Sequence, residues 1–128
     1  MLMDVAAIVA TRSTCSRAHV GVVIAREGRI LTTGYNGAPA GMDHCTHTPD
    51  DRGGCQVSVH AEVNAIAYAA RYGISLEGAE LYSTFMPCLP CAQVIINAGI
   101  REIFVKHLYR DKAGMQLLEA AGFDIMIL

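Results

Sequence analysis

Four side chains between His60 and Cys91 have the types and spacing that metal-assisted hydrolysis needs: His60-Ala61-Glu62 at one end, Pro87-Cys88-Leu89-Pro90-Cys91 at the other. Catalytic zinc keeps three protein ligands and leaves its fourth tetrahedral position to water. His60, Cys88 and Cys91 supply three nitrogen and sulfur donors without a fourth beside them. Two thiolates formally cancel the metal charge, so the ion alone is a modest activator and a nearby base must help. Glu62, two residues from His60, is placed to take a proton from the attacking water and pass it to a nitrogen of the substrate.

Two helices are needed to bring these groups together. Val63, Ile66, Ala67 and Ala70 recur at helical intervals and, with Ala61, Ala65 and Ala69, predict an apolar helix over about 60–71 that stops at Tyr72-Gly73. Pro87 suits the first turn of a second helix carrying Val94, Ile95, Ile96 and Ala98 and ending at Gly99. The three-residue step from Cys88 to Cys91 places both sulfurs on one face of its first turn. The positive ends of both helix dipoles would then meet at one metal and favour the thiolates. Cys-x-x-Cys alone more often marks a structural zinc half-site or a redox pair. Preceded by His-x-Glu and a buried helix, it matches the signature of zinc nucleobase deaminases.

Composition sets the frame for this site. A chain of 128 residues, 52% hydrophobic, is expected to form one domain over 1–128 with a substantial core, and its apolar surplus predicts a homo-oligomer. A formal charge of −2 argues for a small-molecule substrate and against a nucleic acid polymer. No apolar run is long enough to span a membrane and no basic region precedes the first apolar residues, so neither membrane association nor a signal peptide is expected. The odd count of five cysteines suggests a reducing, cytoplasmic setting.

Along the chain, Leu2, Val5, Ile8 and Val9 predict an amphipathic helix within 2–14, capped near Asp4. Val20 to Ala25, the turn Arg26-Glu27-Gly28-Arg29 and Ile30 to Thr33 read as a β-hairpin. Gly34-Tyr35-Asn36-Gly37-Ala38-Pro39-Ala40-Gly41 reads as a substrate loop without regular structure, in which Asn36 offers a donor and an acceptor to a sugar hydroxyl. The irregular stretch 42–59 needs a staple. Cys45, His47 and Cys55, joined by Cys15, form a candidate second, structural zinc set in which His19 or His44 could replace His47. Strands are predicted at 79–85, 103–107 and 123–128 and a helix around 117–121. The alternation implies an α/β, three-layer α/β/α sandwich with a mostly parallel sheet. Ligands in such sheets lie beyond the strand C-termini, where Tyr109 could close over a sugar or base and Arg110 could meet an anion.

With these residues placed, nearly the whole chain resembles the deoxycytidylate deaminases of the cytidine deaminase superfamily. The resemblance rests on Cys15 with Val20-Gly21-Val22-Val23-Ile24, on the Gly34 to Gly41 loop, on His60-Ala61-Glu62-Val63-Asn64-Ala65-Ile66, and on Pro87-Cys88-Leu89-Pro90-Cys91-Ala92. It implies a central five-stranded mixed sheet and zinc-dependent hydrolysis of dCMP to ammonia and dUMP, a thymidylate precursor, with Glu62 protonating N3 and then the leaving amine. It further implies a hexamer, and dCTP or dTTP as effectors with Mg2+. By similarity, Asn36, Ala61 and Tyr109 would contact substrate, and Tyr35, Gly37 and Arg71 would lie near the regulatory nucleotide. Cys15 and Cys45 match cysteines that bind a second zinc in some members. Arg17 or Arg110, with His19, would select the 5′-phosphate. The chain departs from the pattern in having His19 where lysine is common and a short segment between Cys45 and His60. Two other readings remain open at this point: deamination of dCTP, a 5-substituted dCMP or a riboflavin-pathway pyrimidine, or a nucleotide-sensing module without turnover.

Overall fold

Glu27 and Gly28, at φ 53° and 76°, are both left-handed, and this primed two-residue turn reverses the chain between Arg26 and Arg29. It joins β1 (Gly21–Arg26) to β2 (Arg29–Tyr35) in the computed structural model, which describes residues 1–15, 18–46 and 57–128. The other elements are α1 (Leu2–Ala10), α2 (Ala61–Arg71), β3 (Glu80–Phe85), α3 (Leu89–Asn97), β4 (Glu102–His107), α4 (Ala113–Ala120) and β5 (Asp124–Ile127).

The sheet has five strands in the order β2-β1-β3-β4-β5. β1 runs antiparallel to both β2 and β3, whereas β3, β4 and β5 are parallel. The sheet is therefore mixed, as the family resemblance implied, and the expected parallel arrangement holds over β3, β4 and β5. The cause is the hairpin: a two-residue turn can join only antiparallel strands, while the α3 and α4 crossovers return the chain parallel.

Alternation along the strands divides the core. Val22, Ile24, Leu81, Ile103 and Val105 face α2, α3 and α4 through Ala65, Ala69, Ala92, Ile95 and Leu118. Val23 and Ala25 face α1 through Leu2, Met3 and Ala6, with Tyr82 and Phe104 packed alongside. This is the three-layer α/β/α sandwich. Alanines on the buried side of α2 let the helix approach β2 closely enough for the buried Thr32 hydroxyl to donate to the Ala65 carbonyl at 3.0 Å.

Several boundaries differ from the sequence reading, each for a local reason. α1 ends at Ala10, where the Thr11 hydroxyl turns back to donate to the Ile8 carbonyl at 2.6 Å. Gly34 and Tyr35 belong to β2, not to a loop, and Gly34 lies where α2 crosses the strand. Pro90, not Pro87, occupies the first turn of α3. α4 begins earlier than expected because an Asp111 carboxylate oxygen accepts the Ala113 N–H at 2.9 Å.

Candidate active site

His60 and Cys88 are the N-cap residues of α2 and α3, with extended backbones at ψ 149° and 172°. An N-cap projects outside the helical array, so His60 and Glu62 need not diverge as they would two positions apart within a helix. Cys91 lies in the first turn of α3 and is buried. The His60 Nδ1 is 3.3 Å from the Cys91 sulfur and 3.4 Å from that of Cys88, and the three ligand atoms all lie within 4.8 Å of one another. A tetrahedral zinc ion with ordinary bond lengths holds nitrogen and sulfur ligands about 3.5 Å apart, so the donor set fits that ion in chemistry and spacing.

Glu62 is 5% exposed on the buried side of α2. Burial, reinforced by the nearby Cys88 charge, raises its carboxyl from 4.5 to about 7, against its own backbone hydrogen bond, the His60 charge and a hydrogen bond with Cys91. Such a group gives and takes protons near neutrality. A hydrogen bond with Cys91, aided by one with His60, lowers the Cys88 thiol to about 4 against the effect of burial. Cys91 is raised by the same sulfur contact, by burial and by the Glu62 charge. Without a metal the adjacent sulfurs share one proton, which leaves Cys88 the thiolate and Cys91 the thiol. A bound cation takes that proton's place.

The metal-ligand cluster opens into a cavity of about 320 Å³. Its lining comes from three stretches of chain, Cys15, Ala18, Val20 and Asn36, then Ser58, His60, Ala61 and Glu62, then Phe85, Met86 and Cys88, with Tyr109 beyond β4. Tyr109 is 50% exposed. Burial and the negative charges of Cys88, Glu62 and Cys91 raise its hydroxyl pKa, which places the phenol in the site's field. Asn36 is buried and serves the wall itself. Its Oδ1 accepts the Val20 N–H and its Nδ2 donates to the Ala18 carbonyl, both at 2.8 Å, leaving one N–H and one lone pair for a ligand. Gly37 and Val59 exchange backbone hydrogen bonds of 3.2 and 2.8 Å, tying the glycine loop to the segment entering His60.

The other expected residues do not all converge. Arg110 is exposed and lies outside the cavity lining. Arg71 stands in the last turn of α2, beside Tyr72, about 15 Å along the helix from the mouth that Gly37 adjoins. Tyr35 is partly exposed beside α2, its carbonyl accepting from Asn64 Nδ2 at 2.9 Å. Of the proposed effector set, Tyr35 and Gly37 thus lie side by side, and Arg71 stands apart at the other end of α2. Arg17, His47 and Cys55 fall outside the described residues. Cys15 lines the catalytic cavity, and the buried Cys45 sulfur lies 3.5 Å from the Ser58 hydroxyl oxygen. Among the described residues, His60, Cys88 and Cys91 form the one group of three or more suited to a metal, so Cys15 and Cys45 are not joined by His19 or His44. Ser58, Phe85 and Met86 were missed from the sequence; their signal was immediate adjacency to His60 and Pro87 at element ends.

The sequence model of the cytidine and deoxycytidylate deaminase zinc-binding region matches residues 1–107. The chain belongs to this family. It is 38% identical over 123 residues to ComE operon protein 2 of Bacillus subtilis (strain 168), covering 92% of this chain and 64% of that protein. It is 32% identical to the deoxycytidylate deaminase of Enterobacteria phage T2, with 97% and 88% of the two chains covered. The crystal structure of dCMP deaminase from cyanophage S-TIM5 in complex with dCMP and dUMP superposes with a TM-score of 0.91 at 31% identity, over 98% of this chain and 93% of that one.

Proposed function

We propose that this deaminase-family protein hydrolyses dCMP to dUMP and ammonia. The observation that carries the reading is the convergence, at one cavity, of a three-donor metal set with a buried, proton-exchanging carboxyl. The substrate assignment is supported by the likeness to deoxycytidylate deaminases and to a structure holding dCMP and dUMP.

In this reading His60, Cys88 and Cys91 hold zinc, which when bound supplies a Lewis acid that lets a water molecule lose a proton near neutral pH. Glu62 takes that proton and delivers it to N3 of the cytosine ring as the water oxygen bonds to C4. Glu62 then carries the second water proton to the amine, the C4–N bond breaks, and ammonia leaves a uracil carbonyl behind. Tyr109 covers the cavity mouth, Asn36 offers its remaining N–H to the sugar, and the Ala61 backbone lines the base pocket. Arg17 or Arg110 meets the 5′-phosphate. Effector control by dCTP and dTTP with Mg2+ through Tyr35, Gly37 and Arg71 would require residues of more than one subunit, since Arg71 lies apart from Tyr35 and Gly37 in one chain. Self-association is supported by exposed Tyr68, Tyr72, Leu89 and Val94 on α2, at its C-cap and on α3, and its hexameric form rests on the family resemblance. Among the described residues no helix is long and apolar enough to cross a membrane, which suits a cytoplasmic enzyme.

The test is Glu62→Gln, with zinc content and ammonia release measured on one sample. Retained zinc with turnover lowered by about 10²- to 10⁴-fold is expected; retained zinc with near wild-type turnover would refute the shuttle. Ammonia release from dCMP, dCTP, cytidine and 5-hydroxymethyl-dCMP side by side tests the substrate, and dCMP is expected to be fastest.

A further inference from the structure

Beyond the ligands themselves, two glycines stand where a side chain would push on the backbone that carries them. A Cβ on Gly34 of β2 would run into the carbonyl oxygen of Ala61 and lie 2.7 Å from the Ala65 nitrogen. Ala61 is the residue between His60 and Glu62. On Gly114 of α4, a Cβ would run into the Pro87 carbonyl oxygen and lie 2.9 Å from the Cys88 carbonyl carbon. In both cases the obstructing atoms are backbone, which cannot rotate aside. Neither glycine has the positive φ that Gly28, Gly99 or Gly122 shows, so an alanine at either site would be permitted by its own backbone and excluded only by what it meets.

We propose that Gly34 and Gly114 are positioning residues of the metal centre: β2 presses on one ligand-bearing helix mouth and α4 on the other, and together they set the separation of His60 from Cys88. This rests on the zinc reading above. Nitrogen and sulfur already stand 3.3 to 3.4 Å apart, and a metal constellation tolerates misplacement of only about 0.5 Å. Ordinary helix packing would also favour glycine, and Gly21 provides the comparison. A Cβ there would run into the Ala6 carbonyl oxygen and lie 2.5 Å from the Ala10 nitrogen, an equal crowding directed at α1 on the other face of the sheet.

The experiment compares wild type, Gly34→Ala, Gly114→Ala and Gly21→Ala by chelator competition for zinc and by the absorption of the cobalt-substituted proteins, each with its thermal unfolding curve. Gly34→Ala and Gly114→Ala are expected to bind zinc about 10- to 100-fold more weakly, with altered sulfur-to-cobalt charge-transfer bands. Gly21→Ala is expected to lower Tm while keeping wild-type affinity and spectrum. Wild-type affinity and spectrum in both site variants would overturn the proposal. So would a Gly114→Ala chain that fails to fold even in excess zinc while Gly21→Ala folds, since the glycine would then hold the fold and not the ligand. A wild-type chain that takes up no zinc would overturn the metal-site reading itself, a result distinct from unchanged variants of a zinc-binding parent.

Discussion

Replacing Glu62 by glutamine should make the metal-free protein more stable at pH 8 while leaving it little changed at pH 4.5. The folded state holds the Glu62 proton up to about 7, whereas an unfolded chain releases it near 4.5. Below 4.5 both states are protonated and burial carries no ionisation penalty. Between 4.5 and 7 the unfolded state ionises and the folded one does not, so wild-type stability falls as pH rises; above 7 the full penalty is present. At 1.36 kcal/mol per tenfold change this is about 3 kcal/mol, an upper figure that needs little discount for solvent because the carboxyl is 5% exposed. Glutamine keeps the shape and cannot ionise. Urea unfolding of chelator-treated, reduced protein from pH 5 to 8 reads the difference between the two proteins. A difference in unfolding free energy that rises with pH, reaching about 3 kcal/mol at pH 8, is expected. A flat difference, or one falling with pH, would refute the claim that the carboxyl is held neutral by burial.

Asn36→Ala removes two side-chain hydrogen bonds to the 18–20 segment and should lower stability by about 2 kcal/mol while raising KM for dCMP more than it lowers kcat, read by urea unfolding and initial rates. Ile95→Ala, in the fully buried face of α3, should lower unfolding free energy by about 2–5 kcal/mol, with the released ammonia per folded molecule showing how far the loosened helix disturbs the cysteines it carries.

The elements with strong local signals were legible in the sequence. The alanine-rich run gave α2 within a residue, the Glu27-Gly28 turn gave the hairpin, and the His-x-Glu and Cys-x-x-Cys spacings gave a ligand set that the structure brings within 4.8 Å. The direction of β1 against β3 was not legible, because parallel and antiparallel strands share a two-residue period and the long connection between these two does not distinguish them. The mixed sheet came from the family resemblance instead. Asn36 shows a second limit. Its amide chemistry suggested a ligand contact, but nothing local could reveal that backbone groups of Ala18 and Val20 already occupy most of it. Gly34 was read as a loop glycine for the same reason, since close approach by α2 is a tertiary fact.

The placement of ligands at N-caps explains how so short a motif can build a centre. Within a helix, residues two apart point to nearly opposite sides, so His60 and Glu62 could not share a target from positions inside α2. Moving His60 out to the cap frees it from that constraint while Glu62 stays fixed in the first turn, and the Cys88–Cys91 pair repeats the arrangement at α3. The ion's ligands therefore depend less on loop conformation than on where two helices begin, and those starting points are set by the strands and helix packed against them. Mutations at these backbone contacts should consequently register in metal affinity before they register in global unfolding, and an exposed change in the last turn of α2, such as Arg71→Ala, should register in neither.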